Sequence, residues 1–274
     1  MPEPILRAAG LTKTYGRTTV VDDVSFVLEA GESLGIVGES GSGKTTVARM
    51  IVGLETITAG TVEACGSDRT RPARSARERR RRGRDVQMVF QDPYQSLDPR
   101  QTAGAAIAEV LRHHAETRTA DVARQVRELA DLVGLDERQV GSRPENLSGG
   151  QRQRVAIARA LAADPQVLIL DESVAALDVS IQAQVLNTLA DVREQTGVSY
   201  LFISHDLAVV RQVTDRVVVM KDGTIVESGA TAEILDSPSH PYTQLLRASV
   251  PRPGWKPRHR TRREPTREPG ASHS

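Results

Sequence analysis

Three stretches of this sequence place reactive side chains where phosphate chemistry could run. The first is GESGSGKTT, residues 38 to 46. Gly38, Gly41 and Gly43 permit a tight turn that aims backbone N–H groups at phosphate oxygens, and Ser40 completes the loop. A helix after such a loop adds its positive end to the same anion. Lys44 is placed to reach the β- and γ-phosphates, the Thr45 hydroxyl to ligate Mg²⁺, and Thr46 to contact the α-phosphate. The plainer reading is a Gly/Ser turn that only caps a helix. The apolar run SLGIV before the loop and the helix-like TTVARMIVGL after it favour the phosphate reading.

The second stretch is VLILDE. An apolar run that ends in two acids puts Asp171 and Glu172 at the C-terminal edge of a buried strand, where open α/β sheets bind ligands. Asp171 can hold Mg²⁺ and Glu172 can polarise an attacking water. The third is ENLSGGQRQR, where Ser148, Gly149, Gly150 and Gln151 open a helix whose first N–H groups lack intrahelical partners. Capping by Ser148 explains part of it. Two anion sites on one subunit that point to different places each need a phosphate. A head-to-tail pair of subunits supplies it, the loop of one and the serine-glycine stretch of the other closing on the same nucleotide.

The elements that must carry these stretches can be read from periodicity. ILRAAGLTKTYG and VVDDVSFVLEAGE alternate like half-buried strands. SLGIV, VQMVF, QVLILDE and VSYLFISHD read as strands, the third buried on both faces. Residues 102 to 134 are helical, with Ile107, Val110 and Leu111 on one face and Val122, Val126, Leu129 and Val133 on another, ending at Gly134. DRVVVMKDGTIVESG reads as a hairpin turning at Asp222-Gly223. Strands alternating with helices imply an α/β core, with a mostly helical stretch inserted at about residues 91–160. Residues 67 to 85 are Arg-rich without apolar periodicity and read as a solvated loop or exposed helix. His113 and His114 read as surface residues.

Composition narrows the class. The chain has 274 residues, a net charge of +1 and one cysteine, Cys65. No global field draws it to nucleic acid, no intrachain disulfide is possible, and no cysteine cluster can hold a metal. MPEPILRAAGLTKTYG does not resemble a signal peptide, and no apolar run approaches the roughly 18 residues of a membrane span. Any membrane link is expected through partners. Residues 251–274, rich in Arg and Pro, are expected to be a disordered tail.

LSGGQRQR resembles the signature sequence of ATP-binding cassette proteins. Other pieces follow in that family's order. Tyr15 in TKTYG matches the aromatic that stacks on adenine. Gln91 in VFQDPY matches the Q-loop glutamine, which meets Mg²⁺ and the attacking water. Asp178 in AALDVS matches the D-loop aspartate, and His205 in FISHDL the switch histidine at the γ-phosphate. Five motifs in order are far more specific than one. The resemblance implies a P-loop NTPase (RecA-like) α/β core with an N-terminal antiparallel β subdomain and an inserted α-helical subdomain, together spanning 1–250. It implies catalytic roles for Glu172, His205 and Gln91, nucleotide contacts from the residues named above, and Mg²⁺ held by Thr45, Gln91 and Asp171.

VFQDPYQSLDPR and SPSHPYTQLLRASVP resemble, more closely, ATPase subunits of dipeptide, oligopeptide and nickel importers. That likeness implies ATP hydrolysis coupled to uptake of di-/oligopeptides, or of nickel or another small solute. The implied partners are a second cassette (a copy or a sister ATPase), two transmembrane permease subunits and an extracytoplasmic binding protein, with no nucleic acid. The implied place is the cytoplasmic face of the membrane. Ala175 departs from the serine usual before the D-loop Ala-Leu-Asp, and no C-terminal cysteines stand ready for an iron–sulfur cluster. Two rivals fit worse. Chromosome-type cassettes need a long coiled coil where this insert is short, and a P-loop kinase has no use for LSGGQ or the His205 segment.

Overall fold

The computed structural model describes residues 4–91, 97–114, 121–175 and 177–248. Along the chain come β1 (Pro4–Tyr15), β2 (Thr18–Glu29), β3 (Ser33–Val37), α1 (Lys44–Val52), β4 (Ala59–Ala64), β5 (Ser67–Asp68), α2 (Ala76–Asp85) and β6 (Val86–Val89). A helical stretch follows: α3 (Ala103–His114), α4 (Val122–Leu132), α5 (Glu137–Val140), a 3-10 turn at Pro144–Asn146 and α6 (Gly149–Leu161). The chain then runs through β7 (Val167–Asp171), α7 (Val179–Thr196), β8 (Ser199–Ser204), α8 (Leu207–Val213), β9 (Arg216–Lys221), β10 (Thr224–Ala230), α9 (Thr231–Asp236) and α10 (Pro241–Ala248).

Two sheets result. The first is antiparallel, in the order β2-β1-β4-β5, and the second runs β10-β9-β3-β8-β7-β6. In the second sheet β9, β3, β8, β7 and β6 are parallel, and β10 closes one edge antiparallel to β9. Parallel strands covered on both faces need apolar residues at every position. β3, β7 and β8 are buried throughout. Successive residues feed opposite cores. Val167 and Ile169 face the first sheet and α1, whereas Leu168 and Leu170 pack with the helices. Leu201 and Ile203 part from Tyr200 and Phe202 in the same way.

Register sets where the strands end. Val37 pairs with Ser204, Asp171 with Ile203, and Val89 with Leu170. β3, β8, β7 and β6 therefore finish nearly flush, and whatever follows each strand shares one edge. The α/β core, the antiparallel sheet and the helices between β6 and β7 agree with the fold expected from the sequence.

Local signals behave as read, with two differences. Gly134 follows α4 at φ 70, as a helix-ending glycine should, and Asp222 and Gly223 turn the β9–β10 hairpin at φ 47 and 85. The Arg-rich segment is an exposed helix, α2, with no buried residue, but Arg69 just before it is almost fully buried. Its guanidinium donates to Arg82 O at 2.9 Å and meets Asp85 at 3.2 Å, which satisfies a charge that sequence alone assigns to solvent. His114 is half-buried, and that burial lowers its pKa, helped by His113 and Arg80 nearby. The tail expected at 251–274 lies outside the described residues.

Candidate nucleotide site

The loop Gly38–Gly43 leaves the C-terminal end of β3 and enters α1 at Lys44. Its glycines have different reasons. A Cβ on Gly38 would stand 2.2 Å from Met220 O, in β9. Gly43 lies at φ 99, with its would-be Cβ 2.8 Å from Val20 O, whereas Gly41 at φ 85 faces open space and is needed for its backbone angle alone. Lys44 is 4 % exposed. Its ammonium donates to Gly38 O at 2.8 Å, Glu39 O at 2.7 Å and Ser42 Oγ at 3.3 Å, folding back over its own loop. Burial lowers the Lys44 pKa, and Glu172, Asp171 and Glu39 oppose that.

The neighbouring strand ends deliver the rest. Asp171 closes β7, and its Oδ1 accepts a hydrogen bond from the Thr45 hydroxyl at 3.1 Å. Glu172 follows at φ 47, in the left-handed region that costs a non-glycine residue about 1–3 kcal/mol. Its N–H still bonds Ile203 O at 2.9 Å, so the backbone is held in that strained shape. Gln91, beyond β6, donates from Nε2 to Glu172 Oε2 at 3.0 Å. His205, beyond β8, sets Nδ1 3.4 Å from Glu172 Oε1. Three adjacent strands thus bring Gln91, Glu172 and His205 into one cluster beside the Thr45–Asp171 pair. Burial raises the Asp171 pKa and the charge of Glu172 adds to that, with the Thr45 bond pulling the other way.

The remaining expected site residues are not in this cluster. Ser148 caps α6: its Oγ accepts from Gln151 N–H at 3.3 Å while Gln151 Oε1 accepts from Ser148 N–H at 2.8 Å. Among the described residues no hydrogen bond or ion pair joins Ser148–Gln151 to the phosphate loop. Ala160, at the other end of α6, lines a groove with Thr45 and Asp171. Ser148 lies some three turns away from it, roughly 18 Å along the helix axis. Gly150 has a packing reason of its own, since a Cβ there would lie 2.3 Å from Ile181 Cγ2 on α7. Tyr15 ends β1 with its ring 45 % exposed and Lys13 Nζ 4.7 Å from its centroid. Asp178 stands at the N-cap of α7 with no side-chain capping bond, and the next residue, Val179, is 82 % exposed.

One support was not visible in the sequence. The β9–β10 turn braces the phosphate loop: Gly223 N–H donates to Ser42 O at 3.2 Å, and Gly223 O accepts from Asp22 N–H at 2.9 Å. The Asp-Gly pair signals the turn, but nothing in the sequence says where the turn rests.

A phosphate-loop strand–helix unit with two carboxylates and a histidine on the same sheet edge, an antiparallel sheet beside it and a helical insert within it, defines an ATP-hydrolysing cassette. The chain belongs to the ABC transporter family, whose sequence pattern matches residues 21–175. Residues 226–273 match a second pattern, described as the oligopeptide/dipeptide transporter C-terminal region. A protein of Brucella abortus (strain 2308), provisionally named a peptide import ATP-binding protein, is 50% identical over 232 residues, covering 85% of this chain and 69% of the relative. An oligopeptide transport ATP-binding protein of Lactococcus lactis subsp. lactis (strain IL1403) is 42% identical over 246 residues, 90% of this chain and 76% of the relative. Among solved structures, a dimeric ATP-binding cassette in a post-hydrolysis state with ADP and Pi superposes with a TM-score of 0.73 at 28% identity, covering 82% of this chain and 98% of that one.

Proposed function

We propose that this chain is the ATP-hydrolysing subunit of an importer for di- or oligopeptides. The match of residues 226–273 to the oligopeptide/dipeptide transporter C-terminal region carries the solute class, and the names of the relatives agree with it. Among the described residues no helix is long and apolar enough to cross a membrane. On this reading the bilayer is spanned by two permease subunits, solute arrives on an extracytoplasmic binding protein, and the cassette sits at the cytoplasmic face.

ATP seats its phosphates on the N–H groups of loop 38–46. Lys44 leaves the carbonyls of Gly38 and Glu39 for the β- and γ-phosphates, and Thr46 meets the α-phosphate. Tyr15 stacks on adenine with its exposed ring. The Thr45 hydroxyl and the Asp171 carboxylate, already 3.1 Å apart, fit a hard divalent cation that takes most of its oxygens from phosphate and water. The raised pKa of Asp171 favours the same reading, because burial and the charge of Glu172 outweigh the Thr45 bond and the cations Arg49 and Lys44. Mg²⁺, when bound there, neutralises charge on the phosphates. Glu172 accepts a proton from water as its oxygen bonds to the γ-phosphorus and the bond to the bridging oxygen breaks, leaving ADP and phosphate. Gln91 and His205, both within reach of Glu172, orient the water and the γ-phosphate.

The serine-glycine stretch Ser148–Gln151 and Asp178 serve a second cassette, either a copy of this chain or a sister ATPase. Each site is completed across the interface, and closure of the pair drives the permease subunits. Swinging such an equilibrium from 1:99 to 99:1 takes about 5.5 kcal/mol of differential binding. The test is reconstitution. The chain, purified with its membrane partners into vesicles, should drive ATP-dependent peptide uptake that Lys44→Ala abolishes. Uptake of nickel but of no peptide would overturn the solute assignment.

A further inference from the structure

The SPSHPYTQLL stretch supplies α10, and one of its side chains reaches the phosphate loop. The Tyr242 hydroxyl accepts a hydrogen bond from the N–H of Glu39 at 3.0 Å. That N–H and the carbonyl of Gly38 belong to one peptide unit, and the carbonyl accepts from Lys44 Nζ at 2.8 Å. The first peptide of the loop is therefore held at both ends, by Lys44 on its oxygen and by Tyr242 on its nitrogen. Residues far apart in the chain fix one plane.

The holder is itself well fixed. The Tyr242 ring is buried in the core shared by Ile234, Leu235 and Val219, and Lys221 Nζ lies 5.3 Å from its centroid. Tyr242 N–H donates to His240 Nδ1 at 3.2 Å, and Ser239 N–H donates to the Glu227 carboxylate of β10 at 2.6 Å. The histidine and tyrosine of the HPY sequence thus have separate tasks: His240 shapes the start of the helix, and Tyr242 passes that position on to the loop.

We infer that Tyr242 is a positioning residue for ATP, its hydroxyl holding the Gly38–Glu39 peptide in place when Lys44 leaves the Gly38 carbonyl for the phosphates. The inference rests on loop 38–46 being the phosphate cradle. Without the hydroxyl the Glu39 N–H has no partner on α10, the peptide can rotate, and the loop must be reordered each time nucleotide binds. The cost falls on binding more than on the bond-breaking step, because Glu172, Gln91 and His205 stand on other strands.

The test is equilibrium binding of trinitrophenyl-ATP to the purified full-length chain, paired with ATPase kinetics in the assembled transporter. Tyr242→Phe should weaken binding by about tenfold, the scale of one lost part-buried hydrogen bond, and raise KM for ATP to match. kcat should stay within about twofold, a split that general loosening of the fold does not produce. Leu246→Ala is the control, since Leu246 packs on the same core from the same helix. It should lower Tm and leave ATP affinity unchanged. Unaltered affinity and KM in Tyr242→Phe would overturn the inference, as would equal weakening in Leu246→Ala at the same loss of Tm. Lys44→Ala tests the premise separately. If it binds the nucleotide as wild type does, the cradle reading falls, and this inference with it.

Discussion

Glu172 is one of five described non-glycine residues with a positive φ, and the one among them that stands in the candidate site. It sits in a left-handed backbone conformation, next to another carboxylate, with Gln91 and His205 on its two oxygens. Structures keep such strain where surrounding bonds over-determine it, and here Ile203 O and two side chains do so. Glu172→Gln should bind ATP and hydrolyse it roughly 10²–10⁴ times more slowly, the usual worth of general-base assistance. Single-turnover kinetics would show this, and near-normal turnover would remove the role given to Glu172. Asp171 yields a pH prediction. Its pKa is raised by burial and by Glu172, so its contribution to stability is complete below the ordinary carboxylate pKa and is lost as pH rises through the raised one. Asp171→Asn keeps an oxygen for Thr45 and removes the charge. The nucleotide-free variant should melt higher than wild type near pH 7–8, with the gap narrowing as pH falls into the carboxylate range. Thermal scans across pH would show it, and a gap that widened at low pH would contradict it.

At the scale of elements, the strands that carry the site were legible because parallel burial on both faces leaves a continuous apolar run, as in QVLILDE. The convergence of Gln91 and His205 on Glu172 was implied by the family resemblance but not by periodicity or spacing. It depends on β6, β7 and β8 being neighbours that end flush, and strand order is a tertiary fact. Gly150 shows the limit in another way. As sequence it marks an anion site; in the fold it also makes room for Ile181. Alanine in a helix is normally better than glycine by about 1 kcal/mol. Here Gly150→Ala should instead lose stability, about 1–3 kcal/mol from overpacking, and Ile181→Ala in the same chain should restore it. Denaturant midpoints of the single and double variants decide this. A stable Gly150→Ala single variant would show that α6 and α7 yield easily. Substitution of Gly150 is thus a poor probe of nucleotide binding, and Ser148→Asp is a better one. It keeps an N-cap oxygen while setting a negative charge where a phosphate should lie. The Arg69 pocket was illegible for the converse reason, since one arginine in a charged run is chosen for burial by a carbonyl and an acid that only folding brings near.

For the molecule as a whole, the two glycine-rich stretches end up on different parts of one subunit. The phosphate loop stands at the edge of the sheet with the acids, and Ser148 stands at the far end of α6, its hydrogen bonds closed within its own capping box. A nucleotide bound by both must be shared between two cassettes. Cysteine chemistry can read this directly, because the single native thiol, Cys65, is half-buried with a pKa pushed up by burial to about 11 and reacts slowly at neutral pH. The decisive measurement is disulfide crosslinking of the Ser40→Cys, Ser148→Cys double variant in a Glu172→Gln background, with and without Mg·ATP. Sharing predicts an ATP-dependent crosslink between two polypeptides, whether two copies or this chain and a sister cassette with cysteines at the matching positions, and none within a chain. An ATP-dependent crosslink inside a single chain would contradict it.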